Sequence, residues 1–585
     1  MCGIAGIMAT EESGLDFAKL ETMKTELKHR GPDGEAVWSK DKIGLVHTRL
    51  SIIDVENGVQ PLFGPAGTVL VANGEIYNYV ELRNEMLETQ FKTNSDCEPA
   101  VHYYCKYGLD FCDWLRGMYA IAIFDPGERR LVLSRDPFGI KPLYYVQSEQ
   151  GFVFASEAQA LLAAGFGNGK LNERTINELL QLQFTTGAST PYLGIERVLP
   201  GETIAVVDGK IVERRRRRAL PRGGPRKLSE ADALGGLERA LIDSVDVHQR
   251  SDVPYAMFLS GGVDSSVILS CMARLNDFPV TAYTIGFPGA KVADERQKAG
   301  IIAKSLGAKH IEVTFDQDDF WKLLPRVTAA MDEPAADYAI LPTWKLAQTA
   351  AINHKVILSG EGGDEIFGGY GRYRSLMRPL WLAGRGPWRR GILDGLGVLR
   401  EETPGWRDGI VSNETTEGLG DRTGLQVAQA VDCLDWLPND LLTKLDRCLM
   451  AHGVEGRTPF LDPAVVNFAY CLPDSLKVRG RHGKWILRKW LDAAVPSAGA
   501  FSRKKGFTVP VGEWIAAQGQ RIGQLVARQA GIVERCEPSV VAALFGAPGK
   551  RERFAAWTLL FFALWHQQHV LQMPEGEDAF ETLAT

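Results

Sequence analysis

The stretch FLSGGVDSSV, residues 258–267, limits the possible folds more than any other part of the chain. It follows the strand-like run VPYAMFL and opens the helical run SSVILSCMARL. The adjacent Gly261 and Gly262 let backbone N–H groups approach phosphate oxygens closely, and a helix N-terminus adds partial positive charge. Ser260, Ser265 and Ser266 supply hydroxyl donors. Asp264 would repel phosphate unless a divalent cation bridges the two, which makes it a candidate Mg2+ ligand. The chain has no GxxxxGK[ST] sequence, so this is not the lysine-bearing phosphate loop. The runs TAYTIGF, KHIEVTF and KVILSG continue a strand–helix rhythm that predicts a parallel sheet with helices on both faces.

A second glycine-rich loop, LSGEGGDEIFGGYGRY at 358–373, ends the last of these runs. Such sheets bind ligands at their C-terminal strand ends. Gly360, Gly362 and Gly363 suit close backbone approach there. Glu361 and Asp364 bring carboxylates to the same edge, one to ligate Mg2+ and the other to handle a proton or hold an acceptor. Further on, RTPFLDP (457–463) precedes RHGKWILRKW (481–490), which sets Lys484 just inside a predicted helix. Its ammonium would serve the α-phosphate or an oxyanion developing in acyl transfer. The segment DEPAADYAILPT (332–343) offers Glu333 and Asp337 to an acceptor. Beyond about residue 375 the chain is rich in Leu, Ala and Trp without strand signals, which predicts a helical region packed on the sheet.

The first two hundred residues read differently. Short β-type runs such as KIGLVHTRLSIID, GTVLVANGEIYN and MYAIAIFDPGERRLVLSRDPFG are punctuated by Gly, Pro, Asp and Asn, which predicts a layered α+β unit with mostly antiparallel sheets. The chain opens MCGIAG. If Met1 is removed, Cys2 carries a thiol and a free α-amine together, a nucleophile with its own base. The alternative is a buried cysteine in a first strand.

A length of 585 residues calls for more than one core. A net charge of -6 offers no global basic field for nucleic acid. The nine cysteines are odd in number and form no CxxC pair, so neither a disulfide scaffold nor a zinc ribbon is indicated, and a reducing cytoplasm is expected. The longest apolar run, from Phe554 to Trp565, falls short of the roughly 20 residues of a membrane span and predicts a buried helix. Five consecutive arginines, 214 to 218, followed by Pro and Gly-Gly mark a composition break. We read an Arg/Pro/Gly-rich linker at 208–229 between units at 1–207 and 230–585, some of its arginines pairing with acidic residues of either unit.

Together these motifs resemble the glutamine-dependent asparagine synthetase family over essentially the whole chain. The N-terminal hallmarks run in order: MCGIAG (1–6), HRGPDG (29–34), HTRLSIID (47–54), NGEIYN (73–78), SDCE (95–98), DPFGIKPLYY (136–145) and FASE (154–157). The resemblance implies an N-terminal-nucleophile αββα sandwich, the class-II glutamine amidotransferase domain. It is followed by an α/β parallel-sheet ATP-pyrophosphatase domain, adenine nucleotide α-hydrolase-like, with a helical C-terminal region.

Carried over residue by residue, Cys2 attacks the glutamine side chain, while Asn73 and the Gly74 N–H form the oxyanion hole. Arg49 takes the substrate α-carboxylate and Glu75 and Asp96 its α-ammonium, with Leu50, Ser51, Ile52 and Ile53 lining the pocket. Adenine contacts map to Leu259, Ile285, Ser359 and Gly360. Ser260, Gly261, Gly262, Asp264 and Ser265 take the pyrophosphate. Asp264 and Asp364 would hold Mg2+, and Glu361 and Lys484 match the family's catalytic pair. The implied small-molecule substrates are glutamine, aspartate and ATP, with ammonia passing between the sites inside the protein and a homodimer as the family expectation. Thr48, VEGRTPFLD and the arginine-rich segment depart from the commoner family sequences. They leave open an amidotransferase acting on another carboxylate, or a glutamine- and nucleotide-sensing protein without catalysis.

Overall fold

The computed structural model describes residues 2–289, 292, 294–378, 388–401, 404–502 and 509–585; Met1 lies outside them. Two six-stranded sheets built from antiparallel pairs make up the N-terminal unit. In the first, Cys2–Ala9 is central, paired with Ile43–Arg49 on one side and Gly151–Ala155 on the other. In the second, Val69–Ile76 pairs with Gly117–Asp125, which pairs in turn with Arg130–Arg135.

Strand alternation explains the layering. Ile4 and Met8 of the first sheet meet Val69 and Val71 of the second in one apolar layer. The opposite faces carry helices: Ala5 and Ile7 pack with Leu20 and Met23 of the helix Phe17–Glu26, and Leu70 and Ala72 pack with Ala100 and Val101 of Glu98–Tyr107. The unit is the expected αββα sandwich. By the same alternation Cys2 and Asn73 point into the space between the sheets.

The arginine run is less of a linker than its composition suggested. Lys210–Arg216 form the edge strand of the second sheet, paired with Glu202–Val207. Arg214 pairs with Glu202 at 2.7 Å and Arg215 with Asp110 at 2.5 Å. Arg218 reaches Glu417 of the C-terminal unit at 2.6 Å. Charged side chains on an exposed edge are an ordinary defence against edge-to-edge pairing.

The C-terminal sheet is parallel, in the order Lys309–Thr314, Thr281–Gly286, Tyr255–Phe258, Val356–Leu358, Glu455–Arg457. The chain winds outward from Tyr255–Phe258 in one direction and then returns to its other side. The order therefore reverses between Tyr255–Phe258 and Val356–Leu358. The loops leaving those two strands are the two glycine-rich stretches, and a doubly wound sheet binds ligand at this reversal.

The region beyond residue 375 is helical as expected, and among its described residues Glu455–Arg457 adds a strand to the parallel sheet. Three residues, two of them charged, leave no apolar alternation to detect; the strand exists because its neighbours bury all three. The run at 554–565 lies in the helix Lys550–Trp565, buried from Ala555 through Trp565. Among the described residues no helix is long and apolar enough to cross a membrane.

A buried charge network joins the units. Arg30, fully buried, donates to Glu157 at 2.6 Å and to both carboxylate oxygens of Asp446 at 2.8 and 3.0 Å. Arg447 donates to Asp446 at 2.8 Å and to both oxygens of Asp332 at 2.8 and 3.0 Å. Asp332 also accepts the Ala158 N–H at 2.8 Å. Burial alone would raise the Glu157 and Asp446 carboxyls, but the surrounding cations outweigh it and hold both below the usual range.

Removing one partner of a buried pair strands the other charge. Asp332→Asn is expected to cost about 3–5 kcal/mol, read as a lower midpoint of chemical unfolding. Glu238→Gln, which breaks the exposed Arg274–Glu238 pair, should cost under about 1 kcal/mol. Equal shifts would show that the network does not hold the units together.

Candidate functional site

The first cluster forms where the two sheets meet. Cys2 begins its strand opposite Arg49. Its N–H donates to Asn73 Oδ1 at 3.1 Å, and its carbonyl accepts Arg30 Nε at 3.2 Å. Burial pushes the Cys2 thiol up, opposed by the Leu50 backbone and the Arg49 guanidinium. Asn73 Nδ2 is buried with no hydrogen-bond partner among the described residues. An orphaned buried donor is costly, and here it lies beside a nucleophile, where a developing oxyanion would satisfy it. Gly74 sits against Tyr119, whose Cα would lie 2.6 Å from any Cβ placed there. Only glycine lets the backbone approach so closely.

Arg49 is anchored through its two Nη atoms, which donate to Val55 O at 3.0 Å and Asp54 O at 2.6 Å. Leu50, Ser51, Ile52 and Ile53 are all buried in the segment that follows it. Burial, reinforced by Asp96, pushes the Glu75 carboxyl well up, and burial also raises Asp96, which accepts the Ile76 N–H at 2.8 Å. Two adjacent carboxyls that cannot both ionise cheaply favour a cation beside them, and the Arg457 guanidinium already stands 3.3 Å from Glu75. His47, two residues before Arg49, is pushed down to about 3 by burial and by that guanidinium, so it stays neutral.

The second cluster surrounds a cavity of about 380 Å3 at the sheet reversal. Leu259, Ser260, Asp264, Ser265, Ile285, Ser359, Gly360, Glu361 and Asp364 all line it. Gly261 has φ +66°, a left-handed turn that suits glycine, and Gly262 caps the helix Val263–Leu275. Lys484 stands one residue before its helix, Trp485–Ala494, rather than inside it, with φ +57°. A lysine held in that region costs on the order of 1–2 kcal/mol. Its ammonium bridges Asp264 and Asp364, the latter at 2.6 Å. Burial would lower this lysine, but the two carboxylates outweigh it and push it up.

Of the two acceptor candidates, only Asp337 reaches this cavity. Glu333 is buried in an ion pair with Arg197. Lys444, buried on the helix Thr443–Met450, pairs with Glu361 at 3.1 Å and Asp337 at 3.3 Å. Sequence reasoning did not single out Lys444, and a lysine two residues before a buried Asp–Arg pair gives no periodic signal. Arg457 opens the quoted stretch RTPFLDP, but nothing local gives it a role. It reaches from the parallel sheet to Glu75, at 3.3 Å, in the first cluster. Arg30 and Glu157 did lie in quoted motifs, HRGPDG and FASE, but their contact with the second unit is a tertiary fact.

Comparison with known proteins gives a consistent picture. The Asparagine synthase family model matches residues 236–567, and a Glutamine amidotransferase domain model matches residues 1–216. Asparagine synthetase [glutamine-hydrolyzing] 1 of Bacillus subtilis is 31% identical, over 98% of this chain and 98% of its own. Asparagine synthetase B [glutamine-hydrolyzing] of Escherichia coli is 30% identical, over 90% of this chain and 86% of its own.

His47 yields a pH prediction. Its native pKa of about 3 lies below its unfolded value of 6.5, so the unfolded chain binds the extra proton between those values. Stability is therefore lost as pH falls through that window. His47→Gln should lose less stability than wild type between pH 6.5 and 4, measured as unfolding midpoints. Parallel curves would mean that His47 does not titrate as its burial requires.

Proposed function

This chain belongs to the asparagine synthase family, and on that premise we propose that it converts aspartate, glutamine and ATP into asparagine, glutamate, AMP and pyrophosphate. With Met1 removed, the α-amine of Cys2 takes the thiol proton, and the thiolate attacks the glutamine side-chain carbonyl. Asn73 Nδ2 and the Gly74 N–H receive the oxyanion. Collapse of the tetrahedral species releases ammonia, and water then cleaves the thioester to glutamate. Arg49 pairs with the glutamine α-carboxylate. Glu75 and Asp96 take its α-ammonium, which restores the ionisation that burial opposes.

In the second site the adenine lies against Leu259, Ile285 and the Ser359–Gly360 backbone, with Ser260, Gly261, Gly262 and Ser265 around the β- and γ-phosphates. The acceptor carboxylate attacks the α-phosphorus, forming a mixed anhydride and breaking the bond to the departing pyrophosphate. Lys484 stabilises the charge building on the α-phosphate. Ammonia passed from the first site attacks the acyl carbon, Glu361 removes its surplus proton, and AMP leaves.

Asp264 and Asp364 suit Mg2+ as hard oxygen donors, and Asp264 Oδ1 is buried without a hydrogen-bond partner among the described residues. When bound, the cation would neutralise phosphate charge. Among the described residues no group of three or more His, Cys, Asp or Glu could hold a metal ion, so phosphate oxygens would complete the shell.

The observation that carries the reading is the unsatisfied Asn73 amide beside Cys2, in a chain that also builds a nucleotide cavity at its sheet reversal. Aspartate as acceptor is favoured by the charges at the far end of that cavity. Lys444 and Asp337 stand together there, an opposite pair that matches the α-carboxylate and α-ammonium of an amino acid rather than a plain carboxylate.

Purified protein with ATP, Mg2+ and glutamine should release pyrophosphate only when aspartate is added. Release without that dependence would overturn the acceptor assignment. Cys2→Ala should reduce glutamine-dependent synthesis to background while ammonia still supports synthesis. Loss of both together would refute the two-site reading.

A further inference from the structure

A second cavity, of about 530 Å3, lies behind the Lys484 cluster and shares no lining residue with the nucleotide cavity. Arg374, Arg481, His482 and Arg488 line it together with Gly369 and Gly483, and among the described residues no carboxylate is in the lining. The glycines make its wall thin. A side-chain carbon on Gly369 would collide with the carboxylate of Asp364 and the terminal methylene of Lys484.

Arg374 is half-buried, Arg481 exposed and Arg488 buried. Arg488 is only 5% exposed. Its Nε donates to Gly483 O at 2.8 Å and its Nη1 to Ala500 O. Arg374 donates to Arg481 O at 2.5 Å. Among the described residues none of the three makes an ion pair. A buried guanidinium hydrogen-bonded only to carbonyls has its charge balanced only from a distance, and like charges gathered around one cavity repel. Burial pushes Arg488 down, the Asp264 and Asp364 carboxylates pull it back, and Arg374 opposes them. The cavity is thus electrically coupled to the phosphate-loop cluster across the glycine wall. The Arg488 N–H also donates to the Lys484 carbonyl at 2.9 Å, which ties the two residues together at the start of the helix.

We propose that this basic cavity is a binding site for inorganic pyrophosphate, which it receives from the Lys484 cluster after ATP is cleaved between α and β. Guanidinium forks match phosphoanhydride oxygens bidentately. At Gly369 the cavity wall lies directly against Asp364 and Lys484, the groups that would face the departing phosphates. Occupation by the product supplies the negative charge that the three arginines lack and frees the phosphate loop for the next ATP. The proposal rests on the α–β cleavage assigned above.

The test uses the full-length protein. Calorimetric titration with inorganic pyrophosphate should show binding that orthophosphate at equal concentration does not reproduce. Arg374→Gln/Arg481→Gln, at one half-buried and one exposed position, should weaken both that binding and product inhibition by pyrophosphate about tenfold. The KM for ATP should shift far less. No pyrophosphate binding by the wild type, equal binding of orthophosphate, or an unchanged inhibition constant in the variant would each overturn the proposal. So would a rise in the KM for ATP as large as the loss of pyrophosphate affinity, because it would put the arginines on ATP itself. Because the titration needs no turnover, a protein that binds pyrophosphate but never makes it would leave the cavity assignment standing and overturn the synthetase reading.

Discussion

The guanidinium of Arg30 is the contact on which both halves of this molecule depend. It donates at once to the carbonyl of Cys2, to Glu157 of its own unit and to Asp446 of the other. A fully buried arginine is tolerable only when its donors are spoken for, so the nucleophile's backbone, the first sandwich and the helix Thr443–Met450 are held in one arrangement. The same helix carries Lys444 into the nucleotide cavity and Arg447 onto Asp332. One short element thereby touches the acceptor end of the second site and, through Asp446 and Arg30, the start of the first strand.

Both sites rest on groups that pay for burial only when substrate is present. In the first, burial pushes the Glu75 and Asp96 carboxyls up, and the Asn73 Nδ2 has no acceptor among the described residues. In the second, Lys484 stands in a strained left-handed conformation between two carboxylates. These arrangements are poor for stability and well suited to charge stabilisation, because a donor already aimed at an empty position needs no reorganisation during reaction. Arg374 and Arg488 extend the pattern beyond the nucleotide cavity, as cations with carbonyl partners and, among the described residues, no ion pair.

A good part of this was legible in the sequence. Strand alternation and turn residues announced the sandwich, and the strand–glycine loop–helix order announced the parallel sheet. The apolar run at 554–565 read as a buried helix and is one. Cys2, the Asn73–Glu75 stretch and Asp96 stand in three separate motifs, and the fold brings the strands Cys2–Ala9 and Val69–Ile76 and the turn at Asp96 together. Other features left no trace that local pattern could carry. Glu455–Arg457 is too short and too polar to read as a strand, and the arginines of Lys210–Arg216 masked an edge strand as linker. Glu333 and Asp337 were indistinguishable until the fold gave Glu333 to Arg197 and Asp337 to the cavity.

The sequence by itself determined the chemistry on offer: a thiol at the second position, a phosphate-cradling loop, and the carboxylates and lysine around it. Such features are local, since a turn, a helix N-terminus or a run of glycines acts over a few residues. Only the tertiary structure decided which charges meet. Arg30 and Asp446 are hundreds of residues apart, as are Arg457 and Glu75, and their pairing is worth something only because both partners are removed from water. Desolvation makes a buried ion pair decisive and an exposed one nearly neutral. Burial is a property of the whole fold, which no stretch of sequence states for itself.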